Sequence, residues 1–172
     1  IEECPKDYVL IFDSRKDPRA ASAGAILITR LMVKGCAGVV TDGGFRDSDE
    51  IKNIPIPAYH KRPSSPTNLT LHQAIDINVP IGCGDVAVWP GDLLVGDKEG
   101  VVAVPANIIE EIANEVSPMT IYEDYVIDKV RNGSAIKGLY PLTDENEKKT
   151  YEKWLKSLSL IHISEPTRLG FI

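Results

Sequence analysis

An arginine and an aspartate stand side by side, Arg46-Asp47, at the end of GVVTDGGFRD (38–47). An Arg fork can grip a carboxylate through two parallel hydrogen bonds, and the neighbouring Asp can hold a hard divalent cation. Such a pair suits a small oxo acid bound next to a metal. A surface ion pair or a helix cap is the plain alternative for the same two residues. Their position, directly after an apolar strand and a Gly-Gly turn, is one where loops present functional groups. Near Gly24 a helix begins, and its free backbone N–H groups offer an anion site.

Other candidates have weaker surroundings. His60 in AYHKRPSSP and His72 in LTLHQAIDI are of the type that moves protons in catalysis, or could simply be structural. Glu123 and Asp124 fit the solvated face of a helix. Cys83 in GCGD has no paired His and so no case as a nucleophile. No lysine adjoins Arg46-Asp47, and a metal-dependent reading needs none for a Schiff base.

The elements that must position these groups follow from hydropathy and punctuation. Tyr8 to Phe12 reads as a buried strand closed by Asp13-Ser14. From about Ala20 the pattern turns helical, with Ile26, Leu27, Leu31 and Met32 at helical spacing and Gly35 as the stop. Ala37 to Thr41 is a second buried strand, and a short helix capped by Ser48 or Asp49 is expected after Asp47. Pro55 to Tyr59 gives a third strand, and 68–81 one or two short ones. Leu93–Val95 and Val101–Val104, separated by Gly96-Asp97 and Glu99-Gly100, form a β-hairpin pattern. Pro105 opens an amphipathic helix with Ile108, Ile109, Ile112 and Val116. A second helix carries Met119, Tyr122, Val126 and Val130 and stops at Asn132-Gly133. Asp144-Glu-Asn-Glu147 reads as the cap of a last helix. The order predicts a single α/β domain over 1–143, a C-terminal helix over 144–157, and a tail over 158–172.

The 172 residues suffice for one domain with a core, and a net charge of −6 argues against a nucleic-acid partner. No apolar run approaches the roughly 20 residues needed to span a bilayer, so no membrane segment is expected. Cys4, Cys36 and Cys83 are odd in number and lack CxxC spacing, which fits unpaired thiols in a reducing cytoplasm. The chain opens at Ile1 without Met and reads as truncated at its N-terminal side. Residues 158–172, His162 among them, break register with the helix before them. They read as a non-native tail, set aside from functional reasoning.

Three segments carry a resemblance: GAIL at 24–27, GVVTDGGFRD at 38–47 and PGDLLVGDKEGVVAVP at 90–105. The pattern from Asp7 to Glu115 resembles the family that includes the regulator of ribonuclease activity A and the class II 4-hydroxy-4-methyl-2-oxoglutarate aldolases. The resemblance implies a layered α/β fold, of swivelling β/β/α type, with a central sheet or barrel-like core flanked by helices. It implies that Gly24, Ala25, Ile26 and Leu27 bind substrate through their backbone, that Arg46 binds substrate and acts in catalysis, and that Asp47 holds Mg2+ or Mn2+. The activity implied is metal-dependent cleavage of a 2-oxo acid through a metal-stabilised enolate, releasing pyruvate by aldol cleavage or by decarboxylation of oxaloacetate. Two alternatives share this pattern: a non-catalytic regulator of ribonuclease activity, and a sugar-acid lyase or hydratase. The aldolase members commonly carry an acidic residue where this chain has Ala25, so the proton chemistry must differ from theirs. Homotrimers or hexamers are implied, and the small residues Ala20-Ala21-Ser22-Ala23 would permit close approach of a neighbour.

Overall fold

The protein is described here by a computed structural model, over residues 1–161. It divides into two compact units, Ile1–Ile109 and the residues from Glu110 onward. The first unit contains, in order, β1 (Val9–Phe12), β2 (Ala21–Ala23), α1 (Ala25–Val33), β3 (Gly38–Thr41), β4 (Gly44–Phe45) and α2 (Ser48–Ile51). It continues through β5 (Ala58–Tyr59), β6 (Arg62–Pro63), β7 (Ile81–Cys83), β8 (Val86–Val88), β9 (Leu93–Gly96) and β10 (Val101–Val104). The class is mixed α/β. Its strands form four small sheets with no closed barrel among the described residues.

Two of these sheets share one logic. β1, β3 and β5 pair in parallel, and so do β2, β4 and β6. Each strand of the first sheet is followed in the chain by the matching strand of the second. The crossing from β3 to β4 therefore needs a sharp passage, and Asp42-Gly43 provides it. A Cβ on Gly43 would lie 2.6 Å from Ser14 Cβ, so no larger residue fits there. The junction is tied by hydroxyls: Ser14 Oγ lies 2.6 Å from Ser22 Oγ and 3.2 Å from Thr41 Oγ1, and Ser22 Oγ lies 2.9 Å from Thr41 Oγ1.

The core of this unit gathers Ile28, Leu31, Val39 and Phe45, all fully buried, with Ala23, Ile51 and Ile56 around them. The inward face of α1 is thus Ile28 and Leu31, while Ile26 is 78% and Leu27 41% exposed. The helix begins at Ala25, beside the start expected near Gly24 and later than the helical pattern expected from about Ala20, and its buried residues are Ile28 and Leu31 rather than Ile26 and Leu27. Ala21–Ala23 extend as β2, where tertiary pairing overrides the helical propensity of alanine. Ala20 to Ala23 are all buried within this one chain, so they lend no support to a close subunit contact. The α1 stop is as expected: Gly35 has φ +75°, its N–H donates to Met32 O, and Cys36 N–H donates to Leu31 O, the two bonds of a Schellman motif. Trimming Ile28 to Val should cost about 0.5–1.5 kcal/mol through the methylene lost from a packed site. Urea unfolding should show a lower midpoint at unchanged slope.

The β9–β10 hairpin pairs antiparallel with Val102 opposite Val95, as the turn signals predict. Residues 68–80 hold only a 3₁₀ turn at Asn68–Thr70 and no strand; Leu69, Leu71, Ile75 and Ile77 face solvent and supply no buried face for a sheet.

The second unit is helical. The two helices expected after Pro105 are one, α3 (Ile109–Arg131), which runs through Pro118. Pro118 removes one donor, yet Ser117 Oγ and Thr120 Oγ1 donate to the carbonyls of Ala113 and Val116 on either side. The helix α4 (Glu145–Ile161) starts as expected. Asp144 Oδ1 accepts the N–H groups of Asn146 and Glu147 at 2.8 and 3.0 Å. Tyr125, Val126 and Leu139 form its core, with Tyr122, Tyr151 and Trp154 packed against them. The tail expected over 158–172 continues α4 as far as Ile161, and His162 with the residues after it lies outside the described residues.

Candidate functional site

β2 ends at Ala23, and the chain passes through Gly24 into α1; β4 ends at Phe45 and delivers Arg46-Asp47 beside it. Arg46 N–H donates to Ala23 O at 3.1 Å, which fastens the two segments. Asp47 adopts φ 60°, ψ 40°, a left-handed conformation that Asp tolerates better than most residues. Although it stands at the N-cap of α2, Asp47 does not cap that helix with its side chain, and neither Ser48 nor Asp49 caps it. Its Oδ2 instead accepts the Ala25 N–H at 3.2 Å, at the start of α1. Arg46 Nε lies 3.5 Å from the same oxygen. Both side chains are about two-fifths exposed, which leaves them open to a ligand.

The backbone between them is tight. A Cβ on Gly24 would sit 2.6 Å from Asp47 Oδ2 and 2.7 Å from Arg46 Nε. The pair therefore lies directly over the helix start. Of the first N–H groups of α1, Ala25 donates to Asp47 and Leu27 to Gly24 O, while Ile26 N–H makes no hydrogen bond among the described residues. One donor at the positive end of the helix dipole is thus free, next to a guanidinium. Gly24, Ala25, Arg46 and Asp47 come together, and Ile26 and Leu27 contribute backbone only, their side chains being turned to solvent.

Arg46 borders two hollows. A small one of about 70 Å³ lies on the α1 side, against Gly24, Ile26, Leu27 and Asn68. A cleft of about 740 Å³ lies on the α2 side and includes Asp47, Ser48 and His60. His60 stacks on Phe45 with ring centroids 5.3 Å apart, and its Nδ1 accepts the Phe45 N–H at 3.4 Å. The strand pairing of β5 beside β3 brings it there. His72 is partly buried, its Nε2 shielded and without a partner, and it does not line either hollow. Glu123 and Asp124 are exposed on α3 in the second unit.

One carboxylate escaped the sequence reading. Asp42 is buried, and its oxygens accept the N–H groups of Ser14, Lys16 and Gly84 at 2.7, 3.0 and 3.2 Å. Arg15 and Lys16, both at positive φ, turn their backbone to make this anion-holding loop. Asp42 thereby anchors two loops to the strand junction that precedes Arg46. Its negative charge also acts on Cys83, whose thiol is pushed up to about 11 by burial first and by Asp42 second. A raised thiol stays neutral, so at pH 8 roughly one molecule in a thousand carries thiolate there. Iodoacetamide at pH 8 should therefore label Cys83 at least about tenfold more slowly in native protein than in urea, read by peptide mass mapping.

Among the described residues, no three His, Cys, Asp or Glu side chains gather as a ready metal cage. Asp47 offers one carboxylate whose Oδ1 makes no hydrogen bond among the described residues. That donor set misfits a closed zinc centre and fits a hard cation that keeps most of its waters, such as Mg2+ or Mn2+.

A family model described as RraA-like, Aldolase/RraA, matches residues 1–103. The chain belongs to that family. The match covers both strand triplets and the Arg46-Asp47 site of the RraA-like unit. A Halalkalibacterium halodurans protein that carries the name 4-hydroxy-4-methyl-2-oxoglutarate aldolase provisionally is 34% identical over 111 residues, covering 64% of this chain and 52% of its own length. The RraA-like chain thus spans about half the length of that relative. A solved Thermus thermophilus structure, titled as the RNA-processing inhibitor RraA, shares 30% identity and a TM-score of 0.55 over 60% of this chain and 63% of its own. An uncharacterised Pseudomonas syringae pv. tomato protein superposes with a TM-score of 0.77 over 81% of this chain and 70% of its own, and at 24% identity it speaks for the fold alone.

Proposed function

We propose that the chain carries the site of a divalent-metal-dependent lyase that cleaves a small 2-oxo acid, of the 4-hydroxy-4-methyl-2-oxoglutarate aldolase or oxaloacetate decarboxylase type. The observation that carries this reading is the convergence of Arg46 and Asp47 over Gly24, beside the free N–H of Ile26. Arg46 grips the substrate carboxylate with its planar fork, and Ile26 N–H adds a donor at the helix start. Asp47 is the residue that would hold Mg2+ or Mn2+, which when bound supplies Lewis-acid polarisation of the 2-oxo group. When the bond between C3 and C4 breaks, its electron pair moves toward the 2-oxo oxygen, and the charge of Arg46 stabilises the enolate of pyruvate. In aldol cleavage the 4-hydroxyl loses a proton and C3 takes one up. The methyl group of Ala25 can neither accept nor return it, so the half-exposed site exchanges it with solvent. Assembly as a homotrimer or hexamer, with a neighbour covering Arg46, completes the reading, and the three free cysteines suit a reducing cytoplasm.

The test is pyruvate release from oxaloacetate and from 4-hydroxy-2-oxo acids, coupled to lactate dehydrogenase. Release that needs Mg2+ or Mn2+ and stops with EDTA supports the lyase; no release from any of them overturns it. The second reading, a regulator acting by protein contact, is favoured by one residue, Ala25. It expects inhibition of RNA processing by an added ribonuclease, undiminished by loss of Asp47.

A further inference from the structure

We infer that Cys4 and Cys36 are an oxidisable pair: a small-molecule disulfide such as oxidised glutathione joins their sulfurs and so ties the segment before β1 to the turn after α1. The two thiols converge on one carbonyl. Cys36 Sγ donates to Pro5 O at 3.6 Å and lies 3.8 Å from Cys4 O. Cys4 Sγ donates to the same Pro5 O at 3.8 Å and lies 3.9 Å from Tyr8 O. Both residues are buried in one apolar cluster, with Ile28 and Leu31. Backbone bonds on either side of Cys36 hold the two stretches together: Asp7 N–H donates to Gly35 O and Ala37 N–H to Tyr8 O, each at 2.9 Å. Sulfurs so placed close by turning about their Cα–Cβ bonds, with the chain left where it is.

Two small apolar fillers are the plain alternative, since free Cys is among the most buried residue types. Filling space, however, does not require the two thiols to face each other. Burial first, and the hydrogen bond with the Cys36 thiol second, push the Cys4 thiol up to about 11. Oxidation costs the backbone little. Pro5 O keeps the Tyr8 N–H and Tyr8 O keeps the Ala37 N–H when the thiol hydrogens are gone, so neither carbonyl is left without a donor. Cys83 bonds instead to Phe12 O, at 3.7 Å.

The step is thiol–disulfide exchange. One protein thiolate attacks a sulfur of oxidised glutathione, the S–S bond there breaks, and one glutathione thiolate leaves. The other protein thiolate then attacks the protein sulfur of the mixed disulfide, which forms the Cys4–Cys36 bond and releases the second glutathione. Two electrons pass from the pair to glutathione, and the two thiol protons end on the released glutathione thiolates. Because both sulfurs are buried, the first attack waits for residues 1–8 to lift. Their outer tie, the ion pair of Glu2 with Arg30, is exposed and weak. In a reducing compartment such a pair stays open and closes only transiently, under oxidation.

The experiment equilibrates the full chain with graded mixtures of reduced and oxidised glutathione at pH 8, once from folded reduced protein and once by refolding. Starting from both sides keeps slow access from hiding the pair. After an acid quench the remaining thiols are alkylated in urea, and the tryptic peptides are weighed. The peptide ending at Lys6 should appear joined to Gly35–Arg46, about 2 Da below the sum of the two, with Cys83 alkylated. Closing a loop of roughly 30 residues should make this bond about a hundredfold more favourable in native protein than in concentrated urea. The urea midpoint of the oxidised protein should rise accordingly and fall back with dithiothreitol, and Cys83→Ala should change neither result. Three outcomes overturn the pair: Cys4 and Cys36 alkylated at every ratio from either start, a link through Cys83, or equal bond formation in urea and in buffer.

Discussion

Asp47→Asn is expected to abolish Mn2+ binding and to lower pyruvate release by about a thousandfold, while the protein stays folded. Asparagine is the informative substitution because it keeps two features of the native site. It tolerates the left-handed conformation at position 47, and its side-chain oxygen can still accept the Ala25 N–H. What it loses is the negative charge and one anionic oxygen. A site that contributes a single carboxylate to a hard cation has no second ligand to fall back on, and the several kcal/mol of Lewis-acid stabilisation go with it. Asp47→Ala would confuse the issue. It also removes the bond to α1 and places alanine at φ 60°, so part of its effect would be on stability. Calorimetric titration of Mn2+ into the purified Asp47→Asn protein reads the first expectation without turnover. An unchanged Mn2+ affinity would sink the assignment of Asp47, whatever happens to activity.

What could be read in the sequence was set by how local the physics is. Gly35 as a helix stop, the hairpin across Asp97 to Gly100 and the Asp144 cap each depend on hydrogen bonds within a few residues. They are found where the residues suggest them. The helical pattern expected from about Ala20 failed before Gly24, because Ala20 to Ala23 look helical in isolation. Only pairing of Ala21 with Gly44 and Ala23 with Phe45 makes them a strand. The two helices expected on either side of Pro118 are likewise a single one, because the turn around that proline keeps its helical course. At the site, the Arg46-Asp47 pair and its nearness to Gly24 were legible, since strand, turn and motif pointed to one place. Asp42 was not, and His60 could be named as a candidate but not placed, because their partners lie far away in the chain: Ser14, Lys16 and Gly84 for the one, Phe45 for the other. A short polar loop between two strands gives no hint of which backbone it will bond.

Gly24→Ala should be nearly silent in stability and severe in function, by about a hundredfold in kcat/KM. The backbone at Gly24 has φ −134° and ψ −178°, an extended conformation that alanine adopts without strain. The new methyl carbon would lie 2.6 Å from Asp47 Oδ2, 2.7 Å from Arg46 Nε and 2.8 Å from Arg46 Cγ, all closer than contact allows. Something must move, and the two side chains move most cheaply, because each is about two-fifths exposed and has solvent to swing into. Folding therefore loses little, and the lower backbone freedom of the unfolded chain returns a few tenths of a kcal/mol. The head-group site loses its geometry, and a displacement of about 1 Å at reacting groups is worth roughly a hundredfold. Gly43→Ala is the control for the opposite outcome. Its methyl would meet Ser14 Cβ at 2.6 Å inside the buried strand junction, where nothing can swing aside, so it should lower the urea midpoint sharply. Activity of Gly24→Ala within about threefold of wild type, at equal stability, would mean that the placement of Arg46 and Asp47 over the helix start does not matter to the reaction. If the hundredfold loss appears, adding Arg46→Lys to Gly24→Ala should cost much less than Arg46→Lys does alone. Both changes disable the same clamp, and neighbours that act as a unit are not additive.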